Sequence, residues 1–182
     1  MRVLAAATPA GPITLEPLMR GHAAEMFELL CDPALHEFEG RAPASAEWLA
    51  ERYAQRESRS SPDGMELWLN WVVRLGAGPD RGRLAGYVQA TVLPTDDCFI
   101  AYELGSRHWR QGIGSAAVRA MLAELRAHYG VRRFVAVLKA ANHRSLGLLQ
   151  HLGFGRAGTS EQALYCDSHD ELVMACAATD AH

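Results

Sequence analysis

Two glycines, Gly112 and Gly114, stand at the head of a stretch in which Ile113, Ala117, Met121, Leu125 and Tyr129 recur every fourth residue. That spacing puts the apolar side chains on one face of a helix. The first turn of a helix leaves backbone N–H groups without partners and carries the positive end of the macrodipole, so it attracts an anion. Glycine there lets a phosphate approach the backbone with no Cβ in the way. A Gly-x-Gly that only shapes a tight turn looks the same, so the pair by itself does not choose between the two.

Two phosphate-binding patterns compete for these residues. Gly112-Ile-Gly114-Ser-Ala-Ala117 satisfies the dinucleotide pattern G-x-G-x-x-G/A. In that fold the glycines follow their strand almost at once, and an acidic residue at the end of the next strand holds a ribose. Here residues 105–111 separate the strand end at Leu104 from Gly112, and the next predicted strand, 134–138, runs into Lys139. The dinucleotide reading fits poorly. The other pattern needs a second piece downstream, and Asn142-His-Arg-Ser145 supplies it, opening a short helix that ends in His151-Leu-Gly153-Phe154.

In these residues the sequence resembles the GCN5-related N-acetyltransferases, especially the branch of ribosomal-protein N-terminal acetyltransferases. Trp109-Arg-Gln-Gly112-Ile-Gly114 looks like the family's acetyl-CoA pyrophosphate loop, and Asn142-x-x-Ser145 followed by Leu152-Gly153-Phe154 looks like its second motif. Ile13-Thr-Leu-Glu-Pro-Leu18 is similar to the branch's first strand, so the resemblance spans nearly the whole chain. The general family pattern has Arg or Gln where Trp109 stands, whereas aromatic residues are at home there in this branch.

The resemblance implies an acetyl-CoA-dependent N-acetyltransferase that uses no metal and acts on a primary amine by direct attack. A protein or peptide N-terminus is the leading acceptor, a polyamine or aminoglycoside-like compound the alternative, and a non-catalytic acyl-CoA-binding sensor a third reading. The implied cofactor contacts are Leu104, Trp109, Arg110, Gln111, Gly112, Ile113, Gly114, Ser115 and Asn142, with the pantetheine arm lying against unpaired backbone near Tyr102–Leu104.

Acetyl transfer from a thioester requires an unprotonated amine held against the carbonyl, polarisation of that carbonyl, and a donor for the departing thiolate. By the resemblance, Glu103 lies beside the thioester and is the first candidate base, acting through water; a polar residue on an exposed strand face would look alike. Glu161, expected on the strand after the short helix, is the second candidate, with a solvated carboxylate as its alternative. Ser145 occupies the branch's serine position, where it would hydrogen-bond the thiolate sulfur; as a first-turn helix residue it would instead satisfy local backbone groups. Asn142 combines a pantetheine contact with simple helix capping. In this family the connection between the first two helices borders the acceptor, which makes Glu37 and Glu39 candidates to pair with a cationic amine or, taken singly, solvated loop carboxylates.

The chain that must position these groups has 182 residues, enough for one domain with a proper core. Hydrophobic residues make up 49% and the formal charge is −3, so no nucleic-acid partner is expected. Lys139 is the only lysine. The apolar start at residues 1–7 is too short for a secretory signal and no run is long enough to span a bilayer, so a cytoplasmic location without a membrane partner is expected. Cys31, Cys98, Cys166 and Cys176 lack C-x-x-C spacing and the histidines lack zinc-type pairing, so free thiols and no metal are expected. Monomer and homodimer both remain open.

Ile13–Leu18 reads as a first strand, confined by Pro12 and Pro17 to an edge or to a short length. Residues 21–31 form a first helix that stops before Asp32-Pro33, and Ser45 caps a second helix bearing Trp48, Leu49 and Tyr53. Residues 67–75 and 84–93 form a hairpin and 99–104 the next strand, with Trp68 and Trp71 as core or sheet-face residues. After the glycine-headed helix come a strand ending at Leu138, the short helix capped by Gly153, and a closing hairpin of 161–165 with 171–177. The order is not a regular βαβ alternation. The fold class is therefore α/β of the α+β kind, a mixed, mostly antiparallel central sheet flanked by helices. That order matches the acetyltransferase layout, and the resemblance implies that strands 99–104 and 133–138 run parallel and diverge at one end.

Overall fold

The computed structural model describes residues 1–38 and 40–178. Its centre is an eight-stranded sheet of β1 (Leu4–Thr8), β2 (Gly11–Pro17), β3 (Leu67–Leu75), β4 (Leu84–Val92), β5 (Asp97–Leu104), β6 (Arg133–Lys139), β7 (Gly155–Arg156) and β8 (Glu171–Ala177). The spatial order is β1-β2-β3-β4-β5-β6-β8-β7. All neighbours are antiparallel except β5 and β6, so the sheet is mixed and mostly antiparallel, as the sequence predicts.

Helices cover both faces. α1 (Ala23–Leu30) and α2 (Ala46–Arg56) lie on one, and Leu18, Met26, Leu29, Leu30, Leu49 and Tyr53 close with Val72 and Leu84 into one core. α3 (Ile113–Tyr129) and α4 (His143–His151) lie on the other, over the larger core that contains Trp71, Val88, Ile100, Phe134 and Met174. Of the four-residue recurrence in α3, Ile113, Ala117, Met121 and Leu125 are buried and Tyr129 is partly buried. Burying a side chain the size of Ile, Met or Leu is worth about 1.5–3 kcal/mol, which anchors the N-terminus of α3 against the sheet. Ser45 caps α2 by accepting from Trp48 N at 3.1 Å, and Asp32 caps the short 3₁₀ turn that follows α1 by accepting from Ala34 N at 3.0 Å.

Three expectations change. Residues 4–8 form a strand the sequence does not announce, because Leu-Ala-Ala-Ala-Thr has little β preference and owes its form to pairing with β2. β2 is consequently an interior strand. Its prolines fall second and last, Pro12 opposite Ala7 and Pro17 opposite Trp71, where a missing N–H interrupts little of the ladder. The third change is that residues 159–165 form a helix, α5 (Thr159–Tyr165), instead of the first strand of a closing hairpin. Its Gln162 accepts from Val173 N at 3.0 Å and donates to Val173 O at 3.0 Å, so a side chain does for β8 what a neighbouring strand would have done. The strand that does pair on that side is the two-residue β7.

Candidate active site

β5 and β6 pair only through Asp97–Phe99 and Arg133–Val135, and beyond that point they part. β5 stays bonded to β4 along its length and β6 stays bonded to β8, so the gap is a wedge opened between two intact ladders. Leu93 N donates to Asp97 O and Gly105 N to Ala85 O, which fixes the odd-numbered residues of β5 as those whose backbone groups face β4. By alternation the N–H and C=O of Tyr102 and Leu104 face the wedge. Leu104 O is taken by the Trp109 indole N–H at 2.7 Å, leaving the Leu104 N–H and both backbone groups of Tyr102 facing the wedge.

The period of two also sends the neighbouring side chains apart. Tyr102 goes to the α3–α4 side, where its hydroxyl lies 2.8 Å from Ser145 Oγ and 3.2 Å from Ser145 O. Burial pushes its phenol up to about 12, with the Ser145 bond pulling the other way. Glu103 goes to the α1–α2 side, where Tyr87 Oη donates to its Oε2 at 3.2 Å. Burial and the Glu103 charge hold the Tyr87 phenol far above its ordinary value, so Tyr87 is a fixed donor. Asn142 caps α4 by accepting from Ser145 N at 3.1 Å, which sets Ser145 in the first turn.

At the mouth of the wedge the chain turns twice through left-handed backbone, at Arg110 (φ 58) and Gly112 (φ 77), and enters α3. A positive φ is costly for arginine and free for glycine, and here the turn delivers the first N–H groups of α3 to the cleft. Gly114 does something the sequence does not reveal. A Cβ there would sit 3.0 Å from Leu148 Cδ1 and 3.2 Å from Leu104 Cδ1, so this glycine also allows α3 to close on α4 and β5.

These elements border an open cleft of about 1070 Å³. Of the residues singled out from the sequence, Glu103, Leu104, Trp109, Arg110, Gly112, Gly114, Ser115, Asn142 and Ser145 line it. Ile113 instead points into the core, and Gln111 folds back to donate to Arg107 O at 2.8 Å. Glu37 stands at the rim, its carboxylate 2.7 Å from Arg144 and so already neutralised. Glu39 lies outside the described residues. Glu161 is on α5, not on a strand, in an ion pair with Arg133 and away from the cleft lining.

The sequence reading named Tyr102 for its backbone only and missed its hydroxyl, together with Tyr87 and Arg144. Arg144 stacks on Trp109 at 4.1 Å and reaches Phe38 at 5.4 Å, joining α4, the glycine loop and the α1–α2 connection. The rest of the α1–α2 side of the cleft is mostly apolar and aromatic, with Leu30, Leu35, Phe38, Pro43, Trp48 and Leu49, and carries His36 and Arg41. His108 faces it in the neutral form: burial and the adjacent Arg107 lower its pKa, and its Nε2 accepts from Arg107 Nε at 3.0 Å. No group of three or more potential metal ligands occurs among the described residues. No helix there is long and apolar enough to cross a membrane.

The parallel wedge faces the N-terminus of a glycine-headed helix and brings a strand carboxylate and a helix hydroxyl to one cleft. The sequence matches the family described as Acetyltransferase (GNAT) domain over residues 13–155, and the chain belongs to that family. No curated protein matches the sequence. Among solved structures, RimJ of Mycobacterium smegmatis, in complex with CoA-disulfide, is 22% identical over 97% of this chain and 87% of its own, with a TM-score of 0.71. RimL, a ribosomal L7/L12 α-N-protein acetyltransferase in complex with coenzyme A, is 19% identical over 91% and 93%, with a TM-score of 0.74. The aminoglycoside acetyltransferase AAC(6′)-Ib in complex with coenzyme A is 19% identical over 91% and 94%, with a TM-score of 0.70. At such identities the likeness is one of fold, and the last two are named for different acceptors, a ribosomal protein and an aminoglycoside.

Proposed function

We propose that this chain transfers the acetyl group of acetyl-CoA to the α-amine of a protein or peptide, in preference to a polyamine or an aminoglycoside. The observation that carries the preference is the charge of the cleft. Among the described residues its lining holds one carboxylate, Glu103; the nearby Glu37 is ion-paired with Arg144, and Arg41 adds a positive charge to an acceptor side that is mostly apolar and aromatic. A polycation needs several carboxylates to replace its hydration, and each extra ammonium group beside arginine is repelled. A single amine on a peptide backbone makes no such demand.

The residues fit acetyl-CoA. The first N–H groups of α3, with Gly112, Gly114, Ser115 and Arg110, suit a pyrophosphate, and the Tyr102 backbone and Asn142 suit the amides of the pantetheine arm. Bound there, acetyl-CoA supplies the activated acyl group. Glu103, oriented by Tyr87, takes the proton of the incoming amine through water, and Ser145 offers a hydroxyl hydrogen bond where charge develops on sulfur.

The test is to follow free-thiol release and product mass with acetyl-CoA and three acceptors: a peptide with a neutral N-terminal residue, spermidine, and an aminoglycoside. Peptide turnover well above the other two is the expected result. Faster turnover of either polycation overturns the acceptor assignment. Calorimetric binding of acetyl-CoA without thiol release from any acceptor would make the chain a sensor.

A further inference from the structure

Tyr102 is partly buried beside the wedge and lines the cleft, and nothing in the acetyl transfer proposed above uses its hydroxyl. That hydroxyl makes two contacts, both to Ser145: 2.8 Å to Oγ and 3.2 Å to the backbone carbonyl. The hydrogens can be counted. The carbonyl only accepts, and each hydroxyl has one proton to give. In one arrangement Tyr102 donates to the carbonyl and Ser145 Oγ donates to Tyr102 Oη, so the serine proton is turned away from the cleft. In the other, Tyr102 donates to Ser145 Oγ, and the serine proton is released toward the cleft that Ser145 lines.

Resting on the role assigned above to Ser145, we propose that Tyr102 is a positioning residue for acetyl transfer. It moves its phenolic hydrogen bond from the Ser145 carbonyl to the Ser145 hydroxyl as charge builds on sulfur, so that serine presents its proton to the thiolate. The amine lone pair forms the new N–C bond, and the C–S bond breaks with its electron pair on sulfur. The amine proton leaves through water to Glu103, and the thiolate keeps the Ser145 hydrogen bond until solvent protonates it. Neither hydroxyl is ionised. Tyr102 is suited to this, because burial keeps its phenol protonated throughout the working pH range. The contact is also well supported, since Asn142 fixes the backbone of Ser145 and β4 and β5 fix that of Tyr102.

The experiment is a cycle of Tyr102→Phe, Ser145→Ala and the double variant, with kcat, acetyl-CoA affinity by calorimetry and thermal midpoint measured for each. Tyr102→Phe should lower kcat by about tenfold, the equivalent of one hydrogen bond, with acetyl-CoA affinity unchanged. The double variant should be no slower than Ser145→Ala, because Tyr102 acts only through that hydroxyl. Replacing Tyr102 with 3-fluorotyrosine, which keeps the donor and strengthens it, should restore the rate. A slow Ser145→Ala with a wild-type Tyr102→Phe, or losses that multiply in the double variant, overturns the proposal and leaves the role of Ser145 intact. A wild-type rate for Ser145→Ala removes the role of Ser145 and this proposal with it. If Tyr102→Phe fails to fold, the fluorotyrosine protein decides, and a rate reduced in it counts against the proposal.

Discussion

Tyr102 and Glu103 are adjacent on one strand, and the chemistry proposed here depends on their lying on opposite faces of the sheet. That much follows from the period of two in any strand. Which face receives which side chain follows from partners remote in sequence: Ser145 draws Tyr102 to one side and Tyr87 meets Glu103 on the other. Glu103 was legible as a candidate base from its place in the motif, whereas Tyr87 had no signal, because its function exists only across the β4–β5 ladder. The test at this scale is Glu103→Gln, a nearly isosteric change that should leave the thermal midpoint within a degree or two. Turnover should fall most near neutral pH, by roughly 10²-fold, and recover as pH rises and the acceptor amine deprotonates without help. A pH–rate profile parallel to that of the unaltered protein would take the base role away from Glu103.

Among the elements, the entry to α3 shows what one residue type can hide. Both glycines look like phosphate-loop glycines in the sequence, yet Gly112 is required by its left-handed backbone and Gly114 by the closeness of Leu148 and Leu104. Gly114→Val should therefore injure two things together. Overpacking against α4 and β5 should cost about 1–3 kcal/mol of stability, and the displaced helix terminus should weaken binding of CoA. Thermal unfolding and calorimetry of the same preparation check this; lost affinity with an unchanged midpoint would mean that the valine blocks the ligand alone. α5 carries the complementary lesson. Thr159–Tyr165 is short and carries no side-chain N-cap bond, so no local feature announces it strongly, and the two bonds between Gln162 and Val173, the Glu161–Arg133 ion pair and the Tyr165–Phe99 ring contact hold it on the sheet. Glu161 sits on that helix, paired with Arg133 and off the cleft lining, and not on the strand expected to carry it.

At the scale of the whole molecule, the two faces of the sheet are tied together around the cleft. Arg144 links α4 to the glycine loop and the α1–α2 connection, and Asp32, at the end of the first helical segment, accepts from Ser106 N at 3.1 Å just beyond β5. Hydrogen bonds from Ser106 and Ala34 hold the Asp32 carboxyl below its ordinary value of 3.8. A carboxylate whose pKa is lower folded than unfolded stabilises the protein above the unfolded value, and that stabilisation is lost as pH falls through the folded value. Asp32→Asn should thus lower the thermal midpoint at pH 6, with the gap to the unaltered protein narrowing below pH 3.8. A gap independent of pH would assign Asp32 a steric role only. The sequence by itself determined the α+β class, most of the order of strands and helices, and the glycine loop and Asn142–Ser145 pair, because these rest on local periodicity, capping and short motifs. Tertiary structure decided the β1 strand, the helix at 159–165, the neutralisation of Glu37 by Arg144 and the pairing of Tyr102 with Ser145. Each of those depends on a contact between residues far apart in the chain, where no local pattern carries the signal, and on the sheet that brings them within bonding distance.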